Sequence, residues 1–349
     1  MSLTLEHIRE VDPHGMYDLI RNFPEQWNEA RALSQKIQLD ITLGELEEVV
    51  VVGMGGSAIG GDLLRTFTWN QSPIPVLVVR SYTLPASVGL KTLVIASSYS
   101  GNTEETLAAF EEAYRRGSHV FCISSGGELL QRAEEYGVPY LRIPAGMPPR
   151  AALAYSLVPL LSIAHQVGFA RIYEEDWDEA AEVLTRLAAD FGDPSDNMAL
   201  RIARALKDRL PIIYSSTGLL EAVNLRWRTQ LNENAKTLAF GNLYPELNHN
   251  EIMGWEDTEW LVKRAAVITL RDKEDHPRVQ LRMSIVREML AHQVGFWAEI
   301  DTRGEGRLAR MLSLVHLGDW VSLYLAVLRG VDPMLIRSID RLKAALIEG

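Results

Sequence analysis

A glycine-rich loop, Gly53–Gly61, follows an unbroken run of valines at Val49–Val52 and precedes an apolar helical pattern. Glycine lets the backbone take positive φ and approach a ligand closely. The helix that follows would direct free N–H groups and the positive end of its dipole toward the loop. This order predicts a strand, an anion-binding loop and a helix, with Gly56 and Ser57 as candidate phosphate ligands.

The same loop also fits a dinucleotide-binding fingerprint, because Gly53, Gly55 and Ala58 have the Gly-x-Gly-x-x-Ala spacing. A fold that binds NAD carries an acidic residue at the end of its second strand, where it bonds the ribose hydroxyl. Here the next apolar run, Pro75–Val79, ends in Arg80. The sequence therefore argues against NAD and leaves NADP open.

A second loop, Ser97–Thr106, follows the apolar run Thr92–Ala96 and opens another helix. Its hydroxyls at Ser98, Ser100 and Thr103, with the N–H groups of the helix start, could surround a phosphate without lysine or metal. The alternative is that the threonines and the glutamates beside them only cap the helix. Loops that follow parallel strands emerge at the same edge of a sheet, which favours one shared phosphate site.

Apolar runs alternate with helical patterns along most of the chain, which predicts parallel strands joined by helices. Two helices are expected before the first strand, with an interruption at Pro24. After a polar segment at Asp193–Asn197, the order of strand, loop and helix begins again at Leu210–Tyr214. We therefore predict an α/β protein with two doubly wound parallel sheets in tandem, and domains at 1–160 and 161–349. The predicted strands are Val49–Val52, Val76–Val79, Thr92–Ala96, His119–Ile123, Tyr140–Ile143, Leu210–Tyr214, Ala265–Leu270 and Gly295–Ile300.

Composition limits the possible partners. The 349 residues are 47% hydrophobic and 23% charged, as in ordinary globular proteins, and their number suggests about two domains. A net charge of −11 disfavours nucleic acid or an anionic membrane as partner. The single cysteine, Cys122, rules out an intrachain disulfide, and no His, Asp and Glu set has metal spacing. Because no apolar run of signal length lies near the N-terminus, we expect a cytoplasmic protein.

The two loops resemble those of the sugar isomerase (SIS) fold, in which serine and threonine of a Ser-x-Ser-Gly-x-Thr loop hold a sugar phosphate. Three further segments resemble the bifunctional phosphoglucose/phosphomannose isomerase family, a tandem-SIS branch of the glucose-6-phosphate isomerases. They are Pro149–Ala152 (PRAA), Asn232–Lys236 (NENAK) and Pro245–Glu251 (PELNHNE). The resemblance extends from about Val49 to the C-terminus, and its motifs are specific in their order and spacing.

The resemblance implies interconversion of aldose and ketose phosphates through an enediolate, which needs a base, a cation near the oxyanion and a group that opens the sugar ring. It implies that Glu233 abstracts the proton, Arg150 stabilises the enediolate and His249 opens the ring. It also matches Lys343 to a lysine near the sugar. Each cation and acid has an ordinary alternative, namely a surface glutamate, an arginine paired at a domain interface and a solvated lysine.

The resemblance further implies a small sugar phosphate as substrate, no cofactor and no metal. It implies a homodimer in which His249 acts in the partner's site, and Trp255 is an aromatic suited to burial at that interface. Family members tend to carry a threonine after Asp-Pro that is linked to acceptance of both C2 epimers, whereas this chain has Met334, Leu335 and Ile336 there. We therefore expect glucose 6-phosphate to be converted, and mannose 6-phosphate more slowly.

Three other functions fit parts of the sequence. A non-catalytic SIS protein would bind a sugar phosphate without converting it, and the presence of Glu233 and His249 argues against that. The isomerase half of an amidotransferase would need a nucleophilic cysteine, for which only Cys122 is present. An NADP oxidoreductase would use the Gly53 loop.

Overall fold

The computed structural model describes residues 3–256 and 259–348. The chain divides into two compact units, each built around one parallel sheet. We call them the first-sheet unit (Asn22–Thr185 with Gly304–Met311) and the second-sheet unit (Met1–Arg21, Arg186–Arg303 and Leu312–Gly349). Their bounds differ from the predicted 1–160 and 161–349, because the chain up to Arg21 groups with the second sheet and the chain from Asn22 to Thr185 groups with the first.

Helices and strands alternate along the chain, as the sequence predicts. The strands are β1 (Glu48–Val52), β2 (Val76–Val79), β3 (Thr92–Ser97), β4 (His119–Ser124), β5 (Tyr140–Arg142), β6 (Leu210–Ser216), β7 (Phe240–Tyr244), β8 (Ala265–Arg271) and β9 (Phe296–Asp301). The helices are α1 (Leu5–Val11), α2 (Met16–Arg21), α3 (Phe23–Ser34), α4 (Gly55–Thr68), α5 (Glu104–Arg115), α6 (Gly127–Tyr136), α7 (Leu153–Val167), α8 (Glu174–Gly192), α9 (Met198–Leu206), α10 (Glu221–Glu233), α11 (Glu259–Val262), α12 (Pro277–Leu290), α13 (Arg307–Leu328) and α14 (Arg337–Glu348). Short 3-10 helices lie at Leu43–Glu45, Pro149–Ala151, Glu246–His249 and Glu251–Trp255.

The first sheet has the strand order β2-β1-β3-β4-β5, with every neighbouring pair parallel. Strand β1, which lies between β2 and β3, is buried at all five positions, which explains its unbroken valine run. The chain leaves β1 toward one side to form β2 and then crosses to the other side to form β3. The strand order therefore reverses between β1 and β3, the point at which open α/β sheets bind ligands.

Helices cover both faces of this sheet. On one face, alternate residues of the strands, such as Val50 and Val94, pack with Phe110 of α5 and Leu129 of α6. On the other face α4 lies so close to the sheet that a Cβ on Gly61 would be 2.8 Å from the Val51 side chain. The predicted doubly wound α/β architecture is therefore confirmed for this unit.

The second sheet has the order β7-β6-β8-β9 and is also parallel throughout. Its strand order reverses between β6 and β8, so the two sheets share one winding pattern. On one of its faces Tyr214 and Val267 pack with Met283, Val286 and Leu290 of α12. The strand β7 is an addition to the sequence prediction, and three helices rather than two precede β1.

Helix α13 is the most apolar long element of the described chain. Its length of 22 residues and its composition would allow it to cross a membrane, but 94% of its most apolar window is buried inside the protein. Buried polar groups also interrupt it at His316 and Asp319. These features are those of a core helix.

Candidate active site

Two loops of the first-sheet unit meet where the strand order reverses. Strands β1 and β3 pair in parallel with Val52 opposite Ala96, so the loops that follow them leave the same edge of the sheet side by side. The Ser57 hydroxyl accepts a hydrogen bond from the Tyr99 N–H at 3.0 Å. The shared edge predicted for the two loops is therefore present.

Gly56 allows a third segment to reach this edge. A Cβ on Gly56 would lie 2.6 Å from the carbonyl carbon of Pro149 and 2.8 Å from the Arg150 nitrogen, which no real side chain tolerates. The absence of a side chain thus lets the 3-10 turn Pro149–Ala151 contact the start of α4 directly. The segment just before this turn is tied to the second loop, since Tyr99 Oη accepts the Met147 N–H at 3.0 Å.

The hydroxyls of the second loop are arranged around a buried serine. The Ser98 hydroxyl donates to Thr103 Oγ1 at 3.0 Å and accepts the Gly101 N–H at 3.1 Å. Ser100 is exposed, and its hydroxyl accepts the Asn102 N–H at 3.3 Å. The alternative that Thr103 only caps α5 is not supported, because Thr103 is the N-cap residue but makes no side-chain capping bond.

The two helix N-termini at this edge differ in charge. The first turn of α4 contains no acidic residue, whereas the first turn of α5 contains Glu104 and Glu105. Carboxylates beside a helix N-terminus offset the dipole that would attract an anion. This difference favours α4, with Gly56 and Ser57 in its first turn, as the helix whose N-terminus meets a phosphate.

Arg150 is only 3% exposed although its guanidinium is permanently charged. Its position in the turn beside Gly56 brings its backbone to the first loop. A buried arginine is rare unless specific polar groups hold it. The structure therefore joins Gly56, Ser57, the second loop and Arg150 in one unit.

Two of the alternative functions lose support in this unit. Cys122 lies fully buried on β4, where burial raises the pKa of its thiol to about 12. A thiol with such a pKa is not a nucleophile near neutral pH, so the amidotransferase interpretation is wrong for this residue. Arg80, which left NADP binding open, forms an ion pair with Asp62 of α4 instead.

The second-sheet unit repeats the winding but not the anion-binding chemistry. At the corresponding reversal, the Ser216 hydroxyl donates to the carboxylate of Asp275, and Thr302 donates to Asp272 at 2.9 Å. Burial raises the pKa of Asp275 above its ordinary value. Carboxylates at this edge would repel a phosphate, so this edge of the second sheet is poorly suited to bind one.

Glu233 is the last residue of α10 and lies in the second-sheet unit. It is partly buried, as expected from the apolar helix before it, and it lines a cavity of about 940 Å³. The cavity is also lined by Asn232, by Glu10 and Pro13 near the N-terminus, and by residues between Gly330 and Ile339. A carboxylate that opens into a cavity of this size could act as a base on a small ligand.

The segment after α13 gives this cavity much of its apolar wall. Leu335 and Ile336, which stand where family members tend to carry threonine, both line it, followed by Arg337 and Ser338 at the start of α14. Lys343 is exposed further along α14 and is not among the lining residues. Its solvated position agrees with the ordinary alternative for a lysine on a polar helix face.

His249 ends the 3-10 helix Glu246–His249 and is exposed. Buried contacts on both sides hold this segment. Leu247 is 1% exposed, and the carboxylate of Glu251 accepts hydrogen bonds from Tyr214 Oη and, at 2.7 Å, from Asn242 Nδ2. The expectation that Trp255 is available for an interface is wrong, because Trp255 is buried in its own chain and donates to Tyr214 Oη at 3.0 Å.

Three residues that shape these sites were not predicted from the sequence. Tyr99 joins the two loops to the segment before Arg150, Glu251 anchors the His249 segment, and Lys236 Nζ donates to the carbonyl oxygen of Glu233 at 2.7 Å. Each lies inside a motif that the sequence had singled out, but its partner is distant in sequence or is a backbone atom. Within residues 3–256 and 259–348, no three His, Cys, Asp or Glu side chains are grouped so as to hold a metal ion.

Comparison with known proteins gives consistent matches. Residues 195–346 match the family model described as the bacterial phospho-glucose isomerase C-terminal SIS domain. The chain is 42% identical to the bifunctional phosphoglucose/phosphomannose isomerase of Caldicellulosiruptor bescii over 95% of this chain and 99% of that protein. It is 38% identical to the enzyme of the same name from Aquifex aeolicus, over 85% and 90% of the two chains. The tagatose-6-phosphate ketose/aldose isomerase structure from Escherichia coli has the same fold, with a TM-score of 0.65, 15% identity and 95% of each chain covered.

Proposed function

This chain belongs to the bifunctional phosphoglucose/phosphomannose isomerase family, and we propose that it interconverts glucose 6-phosphate and mannose 6-phosphate with fructose 6-phosphate. The observation that carries this function is the 42% identity to the Caldicellulosiruptor bescii enzyme over nearly the whole of both chains. The identity covers both units. The reaction moves a proton between C1 and C2 of the sugar through a cis-enediolate and requires no cofactor.

The phosphate of the substrate is held by the first-sheet unit. Gly56 and Ser57 at the start of α4 offer N–H groups and a hydroxyl, and the loop with Ser98, Ser100 and Thr103 offers further hydroxyls. The absence of acids in the first turn of α4 supports this role. The buried guanidinium of Arg150, whose backbone contacts Gly56, supplies the fixed positive charge that stabilises the enediolate oxygen.

Glu233 is the base. Its carboxylate takes the proton from C2 of the aldose and returns it to C1, while the proton of the C2 hydroxyl moves to the C1 oxygen, which yields the ketose. The partial burial of Glu233 and its position on a cavity support this role, because a base must be both accessible to the substrate and shielded from bulk water. Lys343 is retained as a sugar-proximal residue only by resemblance, since it is exposed on α14.

His249 opens the sugar ring, and we propose that it does so in the site of the partner chain of a homodimer. An imidazole can donate and accept protons near neutral pH. The exposure of His249 on an anchored segment supports action in trans, because the side chain is presented outward while Leu247 and Glu251 fix its backbone. A cytoplasmic location fits the single, buried cysteine.

The two epimers should react at different rates. Leu335 and Ile336 bring apolar side chains to the cavity that Glu233 lines, in the segment where the family resemblance implies a threonine. We expect kcat/KM for mannose 6-phosphate to be several-fold below that for glucose 6-phosphate. Separate initial-rate assays with the two aldoses, each coupled to detection of fructose 6-phosphate, measure this. Equal catalytic efficiencies would show that the apolar segment does not discriminate between them.

Removing phosphate-binding hydroxyls should weaken substrate binding without slowing the chemical step. We expect Ser100→Ala and Thr103→Ala each to raise KM about tenfold with kcat nearly unchanged, because contacts to a phosphate that does not react stabilise ground and transition states alike. Thr103→Ser, which keeps the hydroxyl, should stay within about threefold of wild type. Ser118→Ala is the control, since Ser118 precedes β4 at the opposite edge of the same sheet. An unchanged KM in both loop variants would place the phosphate elsewhere.

A further inference from the structure

One face of α10 is polar although it is buried. Arg226, Gln230 and Asn234 recur at intervals of four residues and are 2%, 2% and 0% exposed. Residues four apart in a helix lie one above another on the same face. A buried face would ordinarily carry apolar side chains, so this row needs a specific partner.

The partner is the part of α13 that belongs to the same unit. Asp319 accepts hydrogen bonds from Arg226 Nη2 at 2.7 Å and from Gln230 Nε2 at 2.8 Å. Ser322 Oγ accepts from Asn234 Nδ2 at 2.9 Å and donates to the Asp319 carbonyl oxygen at 2.7 Å. We call these five residues the α10–α13 ladder.

Apolar contacts bring the two helices close enough for the ladder to form. Trp227 is fully buried, and its Nε1 donates to the Leu314 carbonyl oxygen at 2.7 Å. A Cβ on Gly318 would lie 2.5 Å from that same nitrogen, so only glycine leaves room for the indole. The ladder therefore lies in a packed interface whose spacing is already fixed.

Such a ladder fixes the position of α10 rather than adding to the stability of the fold. A buried ion pair often contributes no more stability than apolar side chains of similar volume. Hydrogen bonds are directional, however, and a slip of α10 by one residue would turn its polar face by about 100° and shift it by about 1.5 Å. Every rung of the ladder would then be lost, so α10 has one rotation and one height.

Glu233 immediately precedes the last rung, Asn234. The same end of α10 is closed by Lys236, whose Nζ donates to the carbonyl oxygens of Glu233 and of Pro333, at 2.7 and 3.4 Å. Pro333 begins the segment that continues into Leu335 and Ile336 of the cavity wall. The ladder and this cap together fix the backbone of Glu233 against the wall that it faces.

We propose that the α10–α13 ladder positions Glu233 for proton transfer, with Asp319 and Ser322 as positioning residues for the reaction. The proposal rests on Glu233 being the base of the proposed isomerase. A small displacement of a base from the proton that it abstracts lowers kcat, while contacts that bind the phosphate are left intact. Loss of the ladder should therefore lower kcat and not raise KM.

The test compares two serines of α13. Ser322→Ala removes the last rung, whereas Ser313→Ala deletes a hydroxyl of equal size and similar burial, one that accepts the Arg303 N–H at 2.9 Å. Activity with fructose 6-phosphate is measured well below the melting temperature of both variants. We expect Ser322→Ala to lower kcat about tenfold with KM within twofold, and Ser313→Ala to leave both within twofold. Equal losses in the two variants, or a change confined to KM, would overturn the proposal.

The same serine change made in a Glu233→Gln variant separates this proposal from the assignment of Glu233 as the base. Combined with Glu233→Gln, the Ser322→Ala change should have less than a twofold effect on the residual rate, because it acts only through the Glu233 carboxylate. A full tenfold loss in that background would show that the ladder acts by another route. If instead Glu233→Gln alone kept wild-type activity, the assignment of the base would fail, whatever Ser322→Ala did.

If Ser322→Ala does not fold, an exchange of the carboxylate and the amide between Asp319 and Gln230 tests the proposal instead. Asp319→Asn alone should lower kcat at least tenfold, because Arg226 loses its counter-ion. Asp319→Asn with Gln230→Glu restores one carboxylate and one amide between the helices, and it should recover kcat to within about threefold of wild type. No recovery in a folded double variant would contradict a positioning role.

Discussion

Replacing Glu233 by glutamine should lower kcat by about 10³-fold while KM changes by no more than a few fold. Glutamine keeps the size of the side chain and its place at the end of α10, but it cannot accept the C2 proton. Lys236 Nζ donates to the backbone carbonyl oxygen of Glu233, and the other residues that line the cavity are unchanged. Both features therefore remain in the variant. Steady-state assays in both directions of the reaction measure the two constants.

Glu221→Gln is the matched control for this result. Glu221 begins the same helix that Glu233 ends, so the exchange is chemically identical and is made at the other end of α10. We expect Glu221→Gln to keep at least half of wild-type kcat. A Glu233→Gln variant that retained a tenth of the activity would exclude Glu233 as the base.

Mixing two inactive variants should restore about a quarter of wild-type activity. Chains with Glu233→Gln and chains with His249→Ala are each expected to be inactive as homodimers. If His249 acts in the partner's site, a mixed dimer has one site with both defects and one site that is intact. Random pairing of equal amounts makes about half of the dimers mixed, and half of their sites are sound.

The measurement is isomerase activity after the two variants are unfolded and refolded together, with exchange of subunits confirmed by differently tagged chains. The control is the same procedure applied to each variant alone, which should give no recovery. If exchange occurs and activity stays absent, His249 acts within its own chain or not at all.

Local patterns were sufficient to predict most of the strands. The runs that became β1, β3 and β8 are buried along nearly their whole length, so they are continuously apolar and their ends are marked by glycine or polar residues. Strand β7 was missed because Phe240–Tyr244 lies at the edge of its sheet, is mostly half-buried, and contains glycine and asparagine. Edge strands of this kind carry neither a continuous nor an alternating apolar pattern.

The helices before β1 show that a proline does not always mark the point where a helix is interrupted. Pro24 was expected to interrupt a helix, but it lies in the first turn of α3, where a missing N–H costs nothing. The actual interruptions fall at Gly15, which has a φ of 83°, and at Asn22, the N-cap of α3. Sequence periodicity places helices well and their ends less well.

The residues of the candidate site also differ in whether a local sequence pattern predicts them. Ser98, Ser100 and Thr103 were predictable because one loop after one strand contains them all. Glu233 and Arg150 were identified by resemblance alone, since an isolated glutamate or arginine has no local pattern. The ladder behind Glu233 was not predictable, because Asp319 is 93 residues from Arg226 and 89 from Gln230 in the chain. Such contacts exist only after α10 and α13 have packed.

The isomerase activity itself is tested most directly by asking whether this chain converts fructose 6-phosphate to aldose phosphates. The purified wild-type protein, incubated with fructose 6-phosphate in buffer containing a metal chelator, is followed by proton NMR of the anomeric signals. We expect signals of glucose 6-phosphate to appear first, those of mannose 6-phosphate to follow, and Glu221→Gln to behave alike. Fructose 6-phosphate that stays unchanged at high protein concentration, while its binding is detected calorimetrically, would rule out the isomerase activity and leave a non-catalytic sugar-phosphate-binding protein.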